Sequence, residues 1–322
     1  MSFTLVEPRT VRLNRSEMAV PASNQRFIDK STQSPADIIL FDLEDSVAPD
    51  EKNDARRTLI RALSEKDWEH RTLSIRVNGL DTPYMYQDIV DVIGGVGDKL
   101  DLVMIPKVGT AADVYAVDML LTQIETACGF KKRLGIELLI ETALGMKNIG
   151  EIAAASPRNE SLHFGAGDYA ASTRMRTVNI GGPHPDCGVL TDPNEDGLRE
   201  VHWDDMWHYP VARMVVAARA NGLRPVNGPF GDFSDSEGLQ VYAKRSAILG
   251  CEGIWAIHPN QVKVINELFT PTEKEIDRAK RILAAMEQAQ KEGKGAVALD
   301  GRMIDIVSIK QAEAMIKKVD LI

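Results

Sequence analysis

Short, densely apolar runs punctuate the chain, and eight of them read as strands: SEMAVPA, Ile38 to Leu43, TLSIRV, LDLVMI, IELLI, SLHFG, LRPVNG and CEGIWA. All but one are followed within a few dozen residues by a segment of helical length, such as Ser23 to Ser31, Ala111 to Thr126 or Met206 to Ala220. A repeated βα unit of this kind predicts an α/β fold, a closed (β/α)8 TIM barrel, with an open doubly wound sheet as the alternative. In TLSIRVNGLD the apolar Leu73, Ile75 and Val77 alternate with Ser74 and Arg76. Successive side chains of a strand point to opposite faces, so Arg76 looks into the barrel mouth, either toward a ligand or toward a structural acid such as Asp42. Pro49 opens a charged helix whose Asp54, Arg56 and Arg57 read as ordinary surface.

Two stretches break the rhythm. Residues 169–205 are rich in Gly, Pro, Asp and Asn and show little periodicity, which predicts a long βα-loop insertion over one face of the barrel. From Thr270 the sequence Thr270-Pro271-Thr272-Glu273 reads as a capping box that launches a helix to about Glu292. A hairpin around Asp300-Gly301 and a last helix beginning at Asp305 complete the tail. The expected division is therefore a barrel over 1–270 and a C-terminal helical arm over 271–322, long enough to cross to a neighbouring subunit.

Composition narrows the function classes. A length of 322 residues suits one barrel of about 250 residues plus additions. With 38 basic against 47 acidic side chains and a formal charge of -9, the chain is not expected to bind nucleic acid or an anionic membrane. Cys128, Cys187 and Cys251 are scattered and odd in number, which fits neither a disulfide framework nor a C-x-x-C site. The opening MSFTLVEPRTVRLNR lacks an apolar leader core, and no later run approaches a membrane span, so the expected setting is cytoplasmic.

The candidate chemistry sits where the apolar runs end. Glu44 and Asp45 follow the second run, Lys107 the fourth, Glu141 the fifth, Asp168 the sixth and His258 the last. In a parallel barrel those ends converge on one face whatever their separation in sequence. Glu141 and Asp168, beside Gly165 and Gly167, offer oxygen donors of the kind that suit a hard cation such as Mg2+, with Mn2+ as a substitute. His258, before a proline, reads on its own as a structural residue. Arg26 and Lys30 share a helix face and either hold phosphates or form a solvated surface. No nucleophile elbow, Walker loop, G-x-G-x-x-G or H-E-x-x-H is present, which argues against hydrolase, nucleotidase, dinucleotide-dependent and zinc-peptidase readings. Two anionic metal ligands opposite an arginine suit a reaction that builds negative charge on two oxygens, such as aldol-type cleavage beside a carbonyl.

The segments RSEMAVPASN, DIILFDLEDSVAPDEK, SIRVNGLDTPY, MIPKVG, IELLIETALG, HFGAGDYAAS, GPFGDFSD, WAIHPNQ and DIVSIKQAE together resemble the malyl-coenzyme A lyase group within the citrate lyase β-subunit-like aldolases. The resemblance runs over nearly the whole chain. It implies a Mg2+-dependent TIM barrel, assembled as a homotrimer or homohexamer, that reversibly splits malyl-CoA into acetyl-CoA and glyoxylate. Some members of the group also act on β-methylmalyl-CoA or citramalyl-CoA. A malyl-CoA thioesterase and a catalytically silent complex subunit are the rival readings. By resemblance, Glu141 and Asp168 are the metal ligands and Arg76 contacts both substrate carbonyl groups. Gly167, Asp168, Ile257 and His258 line the substrate and thioester, and Lys30 meets the coenzyme A phosphates. Asp305 matches an acid supplied by the adjacent subunit's tail to exchange the acetyl α-proton, although its position also suits a helix N-cap. At Ala19 and Asn24 some relatives carry an aromatic and an arginine against coenzyme A, a contact that Arg26 is placed to take over.

Overall fold

Eight parallel strands close into a barrel in the computed structural model, which describes residues 6–68, 71–177 and 179–322. In chain order the strands are β1 (Ser16–Pro21), β2 (Ile38–Asp42), β3 (Thr72–Arg76), β4 (Leu102–Ile105), β5 (Gly135–Ile140), β6 (Asn159–Phe164), β7 (Gly188–Leu190), β8 (Val201–Trp203), β9 (Arg224–Asn227), β10 (Gly253–Ala256), β11 (Val297–Leu299) and β12 (Arg302–Ile304). The barrel takes β1–β6, β9 and β10, and β1 closes it by pairing with β10. Nearly every residue of these eight strands is buried, because one face meets the surrounding helices and the other fills the lumen.

Side-chain alternation and register together sort the lumen into layers. Across β2 and β3, Leu40 stands opposite Ser74 and Asp42 opposite Arg76. Across β5 and β6, Glu137 stands opposite Ser161 and Leu139 opposite His163. A register shift just before Glu137 sets that pairing, a bulge of the kind that re-aims side chains in a sheet. An apolar cluster of Leu40, Met104, Leu139, Val226 and Trp255, with Ala19 packed against it, fills the middle of the barrel. Polar side chains lie on both sides of this layer.

The insertion is more ordered than its composition predicts. A helix runs Ala166–Thr173, and β7 and β8 pair as an antiparallel ribbon. These strands of three residues are too short to print a period of two on the sequence. Arg56, expected on the surface, is buried and bonds Asp88 Oδ1 at 2.7 Å; Asp88 itself is fully buried. Its partner is supplied from another element 32 residues on, which the charged pattern of its own helix cannot reveal.

The chain divides into two compact units, one ending at Asn266 and one spanning Glu267–Ile322. In the second, helices Glu273–Lys291 and Ile306–Val319 pack on each other, with β11 and β12 forming an antiparallel ribbon between them in sequence. The capping box lies two residues later than the sequence suggests: Thr272 is the N-cap and Glu275 its reciprocal partner. Asp305 caps the last helix, accepting from the backbone N–H groups of Val307 at 2.9 Å and Ser308 at 3.3 Å. No helix among the described residues is long and apolar enough to cross a membrane.

Candidate active site

Beyond the apolar middle layer, the C-terminal ends of the strands open into a cavity of about 400 Å3. Asp42, Asp45, Arg76, Glu141, Gly165, Gly167 and Asp168 line it, together with Ala19, Pro21, Leu139, Ile180, Trp255 and Ile257. Arg76 is the most constrained group there. Its Nε and one terminal nitrogen donate to the two oxygens of Asp42, each at 2.7 Å, a fork that follows directly from the β2–β3 register. The other terminal nitrogen lies 2.9 Å from Glu44, and the guanidinium carbon sits 5.6 Å from the centre of the Trp255 ring. Burial would weaken the charge on Arg76, but Asp42 and Glu44 hold it firmly protonated.

Lys107 ties the acidic side of the cavity together. It follows β4 with φ of 52°, a left-handed conformation unusual for a side chain with a Cβ. That turn aims its backbone N–H at Glu141 Oε1, 2.9 Å away, and its ammonium at Glu44 Oε1, 2.5 Å away. Asp45 and Asp168 lie 3.5 Å and 3.7 Å from the same ammonium. Burial and then the neighbouring charge of Glu44 push the Glu141 carboxyl up to about 8, and Asp168 adds to the rise while Arg76 and Lys107 oppose it. A carboxyl so crowded by other carboxyls, even with two cations close by, marks a site with too much negative charge for the protein's own cations. Oxygen donors alone, one buried and one half-exposed in the first turn of Ala166–Thr173, fit a hard divalent ion that keeps water or substrate oxygens in its remaining positions. Gly165 makes room for this: a Cβ there would collide with the Glu141 carboxylate.

A second polar group lies on the far side of the apolar layer. Glu17, Glu137 and His163, all fully buried, place ligand atoms within 4.8 Å of one another and so could also hold an ion. The hydrogen bonds argue for a different use. Glu137 accepts from Ser74 at 2.7 Å and Ser161 at 3.0 Å, and His163 Nε2 lies 2.8 Å from Ser161 and 3.3 Å from Glu137. Trp255 Nε1 donates to His163 Nδ1 at 2.8 Å, so both ring nitrogens are committed. Burial, then the charge of Glu137, pushes Glu17 well up into its neutral form, whereas the bonds from His163 and Ser74 outweigh burial and keep Glu137 ionised. The oxygen-only pair in the open cavity is the better match to a hard cation.

The remaining sequence candidates fall in four places. Ala19 and Ile257 line the cavity. His258 stacks on Phe233, with ring centres 5.0 Å apart, and its backbone N–H shares the side-chain oxygen of Gln261 with that of Ile257. Arg26 and Lys30 stand exposed on the helix Gln25–Ser31, whose N-cap is Asn24. Asp305 belongs to the second unit, where its side chain caps a helix. Sequence reading missed Trp255, Ile180 and the His163 group. Trp255 and His163 sit inside runs taken simply as strands, and Ile180 in a stretch without periodicity.

The Asp42–Arg76 pair generates a prediction about acid stability. Burial alone would raise the Asp42 carboxyl, but Arg76 lowers it to about 2. A depressed folded-state value stabilises the protein fully above the unfolded value near 4, by about 2 kcal/mol, and the contribution is lost as pH falls toward 2. Asp42→Asn should therefore be less stable at pH 7 and should lose less stability than the parent chain between pH 4 and 2. Urea unfolding across that range checks this; parallel pH profiles for the two proteins contradict it.

The model of the family described as HpcH/HpaI aldolase/citrate lyase matches residues 15–259. The L-malyl-CoA/β-methylmalyl-CoA lyase of Cereibacter sphaeroides is 49% identical over 100% of this chain and 99% of its own. A (3S)-malyl-CoA thioesterase of the same species is 34% identical over 96% of this chain and 95% of its own. The CitE protein of Mycobacterium tuberculosis, solved with magnesium, acetoacetate and coenzyme A, superposes with a TM-score of 0.71 at 26% identity, covering 97% of this chain and 99% of that one. The chain belongs to the HpcH/HpaI aldolase/citrate lyase family.

Proposed function

We propose that this protein is a divalent-metal-dependent carbon–carbon lyase that reversibly splits L-malyl-CoA into acetyl-CoA and glyoxylate, and β-methylmalyl-CoA into propionyl-CoA and glyoxylate. The observation that carries the reading is the opening of Glu141, Asp168 and Arg76 on one cavity, in a chain that matches a lyase of this specificity from end to end. Glu141 and Asp168 would hold Mg2+, or Mn2+ in its place; when bound, the ion supplies Lewis acidity to the oxygens of the 2-hydroxy acid portion.

The protein's own side chains do the rest. Arg76, fixed by Asp42 and Glu44, presents its remaining N–H groups to the thioester carbonyl oxygen, where negative charge develops as the carbon–carbon bond breaks. Lys107 orients Glu141 through its backbone and Glu44 through its ammonium. Ala19, Leu139 and Ile257 supply apolar walls that keep the reacting centre dry. Gly167 and His258 would border the thioester, and Arg26 and Lys30, both exposed and cationic, would meet the coenzyme A phosphates. Asp305, reaching over from a neighbouring subunit of a homotrimer or homohexamer, would deliver the proton to the α-carbon in cleavage and remove it in condensation. On this reading residues 271–322 serve as an arm to the next subunit, and the enzyme works in the cytoplasm.

The thioesterase is the second reading, favoured by the relative of that specificity. One assay separates the two. Purified protein incubated with malyl-, β-methylmalyl- and citramalyl-CoA should release glyoxylate from the first two with Mg2+ and none with EDTA. Free CoA and malate without glyoxylate would establish the thioesterase instead.

Asp305→Ala should slow exchange of the acetyl-CoA α-protons with solvent by about a hundredfold, a usual worth of a positioned acid or base, while leaving Mg2+ binding unchanged. Exchange at the parent rate removes Asp305 from that role.

A further inference from the structure

We propose that His163 is a positioning residue for Arg76, acting through the indole of Trp255. The proposal rests on the reading of Arg76 given above and adds a residue to it that neither touches the cavity nor faces a ligand.

The guanidinium of Arg76 is gripped at its edge by Asp42 and Glu44, and its central carbon lies over the Trp255 ring, 5.6 Å from the ring centre. Edge contacts fix where the group sits. The ring beneath it limits how far the guanidinium can tilt, and hence the direction of the N–H groups that remain for substrate. The tilt of the indole is in turn set by its single polar atom. Trp255 Nε1 carries a hydrogen and can only donate, and it donates to His163 Nδ1 at 2.8 Å. That bond requires Nδ1 to be unprotonated, which puts the imidazole hydrogen on Nε2, between Ser161 Oγ at 2.8 Å and Glu137 Oε1 at 3.3 Å. Glu137 is itself fixed by Ser74 and Ser161. Trp255 is 4% exposed and His163 fully buried, so these bonds are shielded from bulk water.

The outcome is an unbroken series of contacts from the Glu137 carboxylate through the imidazole and the indole to the guanidinium, passing through the apolar middle layer of the barrel. An apolar residue at 163 would fill the same space. It would leave a buried indole N–H without a partner and the ring free to tilt. The histidine gives that layer an orientation as well as a volume.

Two substitutions remove the bond from opposite ends. Trp255→Phe keeps an aromatic face under Arg76 and deletes the donor; His163→Phe keeps the buried ring and deletes the acceptor. A third, His163→Gln, restores an acceptor at similar reach. With malyl-CoA and Mg2+, kcat should fall about tenfold in the first two variants, since misplacing a group that acts in the transition state costs rate. KM for the CoA thioester should stay within about twofold of the parent value, since uniform binding is not what the bond supports. His163→Gln should recover most of kcat.

The bond has its own signature. In protein with 15N-labelled tryptophan, the Trp255 indole resonance, identified by its loss in Trp255→Phe, should lie downfield, move upfield in His163→Phe and stay near its parent position in His163→Gln. Parent-like kcat in both bond-deleting variants, in the face of a moved resonance, overturns the positioning role; so does a resonance that His163→Phe leaves in place. If His163→Phe does not fold, Trp255→Phe and His163→Gln decide by the same kcat comparison. Absence of lyase turnover in the parent protein is a separate result: it sinks the functional reading itself and with it any need to aim Arg76.

Discussion

The site depends on one buried ion pair set by strand register. Asp42 and Arg76 stand directly opposite each other on adjacent strands, both on the lumen side, and meet in a two-bond fork. Two ions taken out of water cost several kcal/mol each, and only close geometry with full hydrogen bonding offsets that. Here the backbone supplies the geometry before any side chain moves. A one-residue slip of β3 would turn Arg76 outward and leave the buried Asp42 without its cation. The register therefore serves the barrel and the cavity at once.

Around that pair the electrostatics are unbalanced in a useful direction. Asp42, Glu44, Asp45, Glu141 and Asp168 face Arg76 and Lys107, and at Glu141 burial first, then the charge of Glu44, raises the carboxyl against the pull of both cations. The apolar layer of Leu40, Met104, Leu139, Val226 and Trp255 closes the bottom of the cavity, so little bulk water screens these charges from below. The same layer separates the cavity from the lower polar group, which carries an acid pair of its own, with Glu17 neutral and Glu137 ionised. The contact from His163 through Trp255 to Arg76 is a physical link between the two levels.

Much of the fold could be read from the chain because its signals are local. Each barrel strand is a short apolar run, each breaker lies close behind it, and the alternation of Leu73, Ile75 and Val77 with Ser74 and Arg76 puts the arginine on the lumen side. Strand ends could be collected into one candidate site because a parallel barrel brings them to one face. What could not be read is set by partners distant in sequence. Nothing near Arg56 announces Asp88, and Trp255 and His163 are separated by 92 residues. Glu17 and Glu137 lie inside runs whose neighbours are mostly apolar, and whether such an acid is neutral, ion-paired or facing solvent is decided only when the lumen closes. In the tail, a second threonine two residues on offered an equally good cap, so the helix start moved without changing the element.

The proposed chemistry requires Glu141 and Asp168 to share one divalent ion. Mn2+ titrated into the metal-stripped protein and followed by electron paramagnetic resonance reads this directly, because bound Mn2+ loses the sharp six-line signal of the free ion. One tight ion per chain is predicted for the parent, with tight binding lost in both Glu141→Gln and Asp168→Asn. Parent-like binding in either variant would contradict the shared-ion site.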